Sequence, residues 1–160
     1  MAADMKSDKP TLVLLHGWGM NQGVWRSVVS QFEHKVQLLT PDLPGFGLHQ
    51  QYPVPYQLDA IVELLAVQIP DNSYLCGWSL GGLLATAIAK RFPHKVRQLG
   101  LVAASPCFVA CSLWPGIEDL VLQQFEQELS NNMTQNIVPI PKMGTFFLTF
   151  LCNFLISTSL

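Results

Sequence analysis

The sequence predicts an α/β fold, a parallel sheet with helices flanking it on both faces. Three observations carry that prediction. Four short apolar runs occur before residue 105, each continuous rather than alternating, which is how strands buried on both faces read. Segments with apolar residues at helical spacing lie between them. The two types alternate strictly, and such alternation forces parallel pairing through right-handed crossovers.

The first strand is Thr11-Leu12-Val13-Leu14-Leu15, bounded by Pro10 and by His16-Gly17. Val24, Trp25, Val28, Val29 and Phe32 then mark a helix over Val24 to Phe32. Val36 to Leu39 is the second strand, closed by the turn-rich run Pro41-Asp42-Leu43-Pro44-Gly45-Phe46-Gly47. Leu58 to Ile69 reads as an amphipathic helix stopped by Pro70. Tyr74-Leu75-Cys76 is the third strand and runs directly into Gly77-Trp78-Ser79-Leu80-Gly81-Gly82. An alanine-rich helix follows over Leu83 to Phe92, and the fourth strand is Leu99 to Ala104. Beyond Ser105 the pattern changes. Trp114-Pro115-Gly116 is a turn, Ile117 to Leu129 reads as an acidic amphipathic helix, and from Asn131 the periodicity fails.

Composition narrows the function. The chain has 160 residues, which suits one domain; 49% are hydrophobic and only 12% are charged. There is ample apolar material for a core. A net charge of -2 gives no basic footprint, so nucleic acid is not an expected partner. Cys76, Cys107, Cys111 and Cys152 include no pair at the spacing of a zinc or redox motif, so no metal is expected. They read as reduced thiols in a cytoplasmic protein. Met1 to Pro10 is polar, without the apolar segment of a signal peptide. Gly144 to Leu160 is uncharged and Phe-rich, but seventeen residues interrupted by Asn153 are at the short limit of a span, so a membrane helix is not expected.

The chemistry gathers around Ser79. A Gly-x-Ser-x-Gly match alone is weak, but here a strand precedes it and a helix follows, which is the context a nucleophile elbow needs. Gly77, Gly81 and Gly82 supply room for a sharp turn that lifts the hydroxyl clear of the sheet. The helix start behind it presents N–H groups and a positive dipole end to a developing oxyanion. The bland alternative is a tight glycine turn with a capping serine. His16-Gly17-Trp18-Gly19 forms the second feature, a glycine loop at the carboxyl edge where open α/β sheets place their sites. One oxyanion donor comes from the residue after the nucleophile and one from such a loop, which assigns Leu80 and Trp18. His16 adjoins the strand end and reads as a group orienting the loop rather than as a base.

These runs, together with Ala104-Ser105-Pro106-Cys107-Phe108, resemble the α/β-hydrolase superfamily. Trp78 inside the elbow, Ser-Pro-Cys-Phe and Trp114-Pro115-Gly116 resemble, more narrowly, the pimeloyl-acyl-carrier-protein methyl ester esterases of biotin synthesis. The resemblance covers about Leu12 to Asn132. It implies the N-terminal part of that fold: a polar tail over 1–10, a core segment over 11–112, a partial lid over 113–136 and an atypical apolar tail over 137–160. It also implies a carboxylesterase working through a Ser79 acyl-enzyme, without a cofactor, on an ester linked to acyl carrier protein. Met143-Gly144-Thr145 resembles a lid segment lining the acyl pocket. A lactone or C–C bond hydrolase of the same fold, or a non-catalytic fragment with an interaction role, are the alternatives.

The chain departs from the family where the triad is completed. The expected order is Ser, then an acid, then His, each after a later strand. Downstream of Ser79 the sole histidine is His94, at the far end of the following helix. His34 and His49 lie upstream, and His49, on a loop at the same sheet edge, is the one remaining base candidate within reach. Glu118, Asp119, Glu126 and Glu128 read as the solvated face of the lid helix. The triad acid and base are therefore expected to be absent from these 160 residues, with little or no turnover and an unpaired sheet edge. No leading hairpin fits before Thr11. The tail from about Ile137 reads as a frameshift, splice or truncation product would. After Arg97 the sole basic residue is Lys142, so docking to an acidic carrier lacks charge complementarity.

Overall fold

The computed structural model describes residues 9–51, 57–105 and, within 107–124, all but 111, 119 and 122. It divides into two compact units, one of Met1–Pro55 with Asp59–Pro106 and one of Tyr56–Leu58 with Cys107–Leu160.

The first unit holds a four-stranded parallel sheet in the order β2-β1-β3-β4, with β1 at Thr11–Leu15, β2 at Gln37–Leu39, β3 at Ser73–Trp78 and β4 at Val96–Val102. Helix α1 spans Arg26–Phe32 behind a 3-10 turn at Gln22–Trp25, α2 spans Leu58–Ala66 and α3 spans Leu80–Arg91. The chain leaves β1 toward one side of the sheet and returns past it to β3. The switch point therefore falls between β1 and β3, where α/β sheets open a crevice at their carboxyl ends. In register, Leu15 lies opposite Gly77. The segments after both strands emerge together, and those segments are His16-Gly17 and Ser79.

Burial follows the predicted pattern in β1, β3, α2 and α3, while β2, β4 and α1 hold no buried residue. Val13, Leu14 and Leu15 of β1 are buried, as are Leu75 of β3 and Leu83, Leu84 and Ile88 of α3. Helix α2 turns Ile61, Val62, Leu65 and Ala66 inward. Each fully buried large side chain stabilises the fold by about 1.5–3 kcal/mol. Arg91 of α3 pairs with Asp59 of α2 at 2.9 Å and also with Glu63, which sets both helices on one face.

Boundaries differ in informative ways. Helix α3 begins at Leu80 rather than Leu83, because Gly81 and Gly82 are inside its first turn for close packing, against their low helix propensity. Strand β4 starts at Val96 and takes in Arg97 and Gln98. An edge strand tolerates such residues, and among the described residues nothing pairs beyond it. Leu99, Leu101 and Val102 are exposed there, the unpaired edge that the sequence predicts.

In the second unit, Val109 and Ile117 form an isolated parallel bridge, so Ile117 belongs to that bridge and not to the predicted acidic helix. Among the described residues, Leu120 and Val121 are helical, and both are exposed. The Trp114 indole donates to the Cys107 carbonyl at 3.0 Å, and Gly116 lies against the Val109-Ala110 backbone where a Cβ has no room. The expectations for the 137–160 tail, for Cys111, Asp119, Glu126 and Glu128, and for Met143-Gly144-Thr145 lie outside the described residues. Among the described residues no helix is long and apolar enough to cross a membrane.

Candidate active site

Ser79 separates the last residue of β3 from the first of α3 and has φ 53°, ψ −117°. A non-glycine residue there is strained by about 1–3 kcal/mol, and such strain persists where the surroundings enforce it. Here they do. The Ser79 N–H donates to the Val102 carbonyl at 2.9 Å, extending the ladder with β4. Its own carbonyl accepts from Gly82 and Leu83 at 2.9 and 3.2 Å, starting α3. The N–H groups of Leu80 and Gly81 precede the first intrahelical bond, so they stand at the positive end of the helix beside the hydroxyl.

The glycines make the turn by close approach. A Cβ on Gly77 would strike the Gly81 carbonyl and Gly82 Cα, and one on Gly81 would strike the carbonyls of Leu15 and His16. The start of α3 is thus seated on the end of β1. Gly17 completes the juxtaposition: a Cβ there would lie 3.4 Å from Ser79 Cβ and 3.3 Å from the Trp78 ring. Ser79, Gly77, Gly81, His16 and Gly17 therefore lie together, with Leu80 and Trp18 adjoining them in the chain. Gly19 serves by conformation alone, with φ 72° and open space around it.

His16 has no exposed surface. Its Nδ1 lies 2.8 Å from the Gly17 carbonyl, and its Nε2 accepts the Leu43 N–H at 2.9 Å. A carbonyl can only accept and an N–H can only donate, so the ring carries its proton on Nδ1 and is neutral. Burial lowers its pKa below the ordinary imidazole value, outweighing the Gly17 hydrogen bond and the Asp42 charge, which act the other way. Both nitrogens are thus engaged in holding loops.

A pH prediction follows. The unfolded chain binds a proton on this ring more readily than the folded one, so acid favours unfolding. The contribution is complete above the ordinary value of 6.5 and is lost as pH falls below it. Thermal melts should move to lower temperature on acidification through that window, and a His16→Asn variant should be flatter there. Equal slopes in the two proteins would contradict the assignment.

The other histidines lie elsewhere. His94 is beside Asp71, at 3.9 Å, before the start of β3, whereas Ser79 follows its end. Six strand residues separate these points by about 20 Å. His49 turns Nδ1 to the Asp42 carbonyl at 2.9 Å. Among the described residues no three potential ligands cluster as a metal site. Cys76 faces Gly100 on β4, and burial raises its thiol pKa, which makes it a poor nucleophile.

One residue at this edge escaped sequence reasoning. Asp42 is 4% exposed and accepts hydrogen bonds from the loops on both sides of it. The available signal was an acid set between Pro41 and Leu43 in an otherwise apolar turn.

A family model described as alpha/beta hydrolase fold matches residues 10–143, which carries the likeness beyond Asn132, the limit drawn from sequence. The pimeloyl-acyl-carrier-protein methyl ester esterase of Pseudoalteromonas atlantica is 46% identical over 140 residues, 85% of this chain and 54% of that protein. That of Proteus mirabilis is 45% identical over 130 residues, 81% of this chain and 49% of its own length. The chain thus spans about half the length of the curated relatives it matches. Among solved structures, Cfl2 of Burkholderia cenocepacia superposes with a TM-score of 0.64 at 24% identity, over 79% of this chain and 49% of that one. A hydrolase of Oleispira antarctica, olei00960, gives 0.65 at 18%, over 78% and 49%. At such identities these two speak for the fold alone.

Proposed function

Because this chain belongs to the α/β-hydrolase family, we propose that its site serves carboxylic ester hydrolysis through an acyl-enzyme on Ser79. The observation that carries the reading is the strained Ser79 backbone, held at the start of α3 with Gly17 packed against it. In this reading Ser79 Oγ attacks the ester carbonyl, and the N–H groups of Trp18 and Leu80 receive the oxyanion. The tetrahedral intermediate expels the alcohol, and water releases the acid. Every part of that sequence rests on the chain's own residues except the base that takes the Ser79 proton.

The substrate class comes from the relatives' names. A pimeloyl methyl ester carried on acyl carrier protein fits a serine held at the start of a helix beside backbone N–H donors, and a cytoplasmic setting belongs to the same proposal. The acyl chain rather than the carrier surface would supply recognition, since Lys142 is the sole basic residue after Arg97.

The test is adduct formation. Incubated with p-nitrophenyl acetate, and separately with a pimeloyl methyl ester thioester-linked to carrier, the chain should gain one acyl group, located at Ser79 by peptide mass spectrometry. Ser79→Ala should gain none. Acylation that persists in Ser79→Ala would overturn the reading. Acylation by p-nitrophenyl acetate alone would retain the esterase and reject the substrate.

A further inference from the structure

We infer that Asp42 is a positioning residue for the oxyanion site, a buried carboxylate that locks the loop after β1 and thereby aims the Trp18 N–H. Its catalytic consequence rests on the esterase reading of Ser79; the clamp itself rests on geometry.

The carboxylate sits between two loops. Oδ1 accepts the Gln22 backbone N–H at 2.6 Å, while Oδ2 accepts the Leu48 N–H at 2.9 Å and the Gln22 side-chain amide at 3.4 Å. Gly47, with φ 53°, passes so close that a Cβ would occupy the carboxylate's place, so this turn is shaped around the acid. The loop after β1 is then fixed at both ends. At its front the Gly17 carbonyl faces His16 Nδ1 at 2.8 Å and accepts the Met20 N–H at 3.3 Å. At its rear Gln22 is held by Asp42. His16 is tied into the same assembly, because its Nε2 accepts from Leu43, the residue after Asp42, and lies 3.7 Å from Oδ1.

The consequence for Trp18 follows from the planar trans peptide. The Gly17 C=O and the Trp18 N–H belong to one plane and point in opposite directions. With the carbonyl committed to His16, the N–H is turned to the opposite side, and Gly17 itself is packed against Ser79. Release of the rear of the loop lets that plane rotate. An oxyanion donor is worth about 10²–10³ in rate, and a misdirected one loses most of that.

The test is Asp42→Asn in the 160-residue chain. Asparagine keeps one acceptor oxygen and turns an NH2 group toward one of the N–H donors. Hydrogen exchange at Gln22 and Leu48 should accelerate at least about tenfold while Leu83 and Ile88 of α3 keep their rates. The limiting rate of Ser79 acylation by p-nitrophenyl acetate should fall about 10- to 100-fold, with the half-saturating concentration within about twofold of the parent. A merely structural role would not split the two constants. Gln22→Pro guards against misfolding of the first variant. It removes both Gln22 bonds to Asp42, the backbone one at 2.6 Å and the side-chain one at 3.4 Å, and leaves the Leu48 N–H on Oδ2; the site is the first position of a 3-10 turn, after Asn21 at φ −146°, ψ 177°, where proline is accepted. It should reproduce the fall in acylation and the faster exchange at Leu48, proline having no N–H to read at position 22.

Faster exchange with unchanged acylation overturns the inference and leaves the Ser79 reading standing, as does no change in either. A parent chain that takes no label on Ser79 defeats the esterase reading instead. The inference is then decided by the Trp18 amide resonance and exchange rate, which must shift in both variants and overturn it if they do not.

Discussion

Gly81→Ala is expected to lower the stability of the chain by about 3 kcal/mol or more, the upper range for overpacking a tight site. The added methyl would meet the carbonyls of Leu15 and His16, and these are backbone atoms at the end of the central strand β1. No side chain can rotate away to relieve the clash. Helix propensity works in the opposite direction, favouring alanine over glycine by up to about 1 kcal/mol, so it offsets only part of the cost. Gly100→Ala is the control. It adds the same methyl to β4, where the nearest atom is Cys76 Sγ at an ordinary 3.4 Å, and it should be close to neutral. Urea unfolding of the two variants beside the parent checks the contrast. A Gly81→Ala midpoint equal to the parent's would mean that α3 does not seat on β1 as described. Since that seating brings Gly17 to Ser79, the candidate site would lose its geometry too.

The same glycine illustrates what sequence reading can and cannot reach. Continuous apolar runs mark all four strands, although only β1 and β3 carry buried residues and the apolar residues of β4 stand exposed. The elbow was legible because glycine at three positions around one serine has few uses other than close approach. Helix boundaries were less legible where a packing demand overrode propensity, as at Gly81 and Gly82. The Asp42 clamp was legible only as an acid set in an apolar turn, and its contacts were not. Its partners are the backbone N–H groups of Gln22 and Leu48, which every residue but proline possesses, so no residue type at those positions announces the contact. His16 reads from sequence as an orienting group, whereas its tautomer and its link to Leu43 are visible only in the fold.

The 160-residue chain is expected to acylate and then stall. With p-nitrophenyl acetate it should release about one equivalent of product slowly, with a subsequent turnover at least about 10³-fold below the 1–10³ s⁻¹ usual for enzymes. The reason is the fate of the Ser79 proton. His16 has its Nδ1–H on the Gly17 carbonyl and its Nε2 on the Leu43 N–H; His94 stands beside Asp71 at the opposite end of β3; His49 faces the Asp42 carbonyl. A serine hydroxyl without a base is a weak nucleophile, and the water that must cleave the acyl-enzyme meets the same deficit. What remains is the oxyanion site and binding, which in serine proteases stripped of a triad member leave about 10³- to 10⁴-fold over water. Added imidazole supplies the missing function from solution. The acylation and deacylation rates should therefore both rise with imidazole concentration in the parent and not in Ser79→Ala. Turnover in the ordinary enzymatic range without imidazole, and dependent on Ser79, would show that a base within these 160 residues reaches the hydroxyl. A His49→Ala variant would then be the first to test, since its loop shares the sheet edge with Ser79.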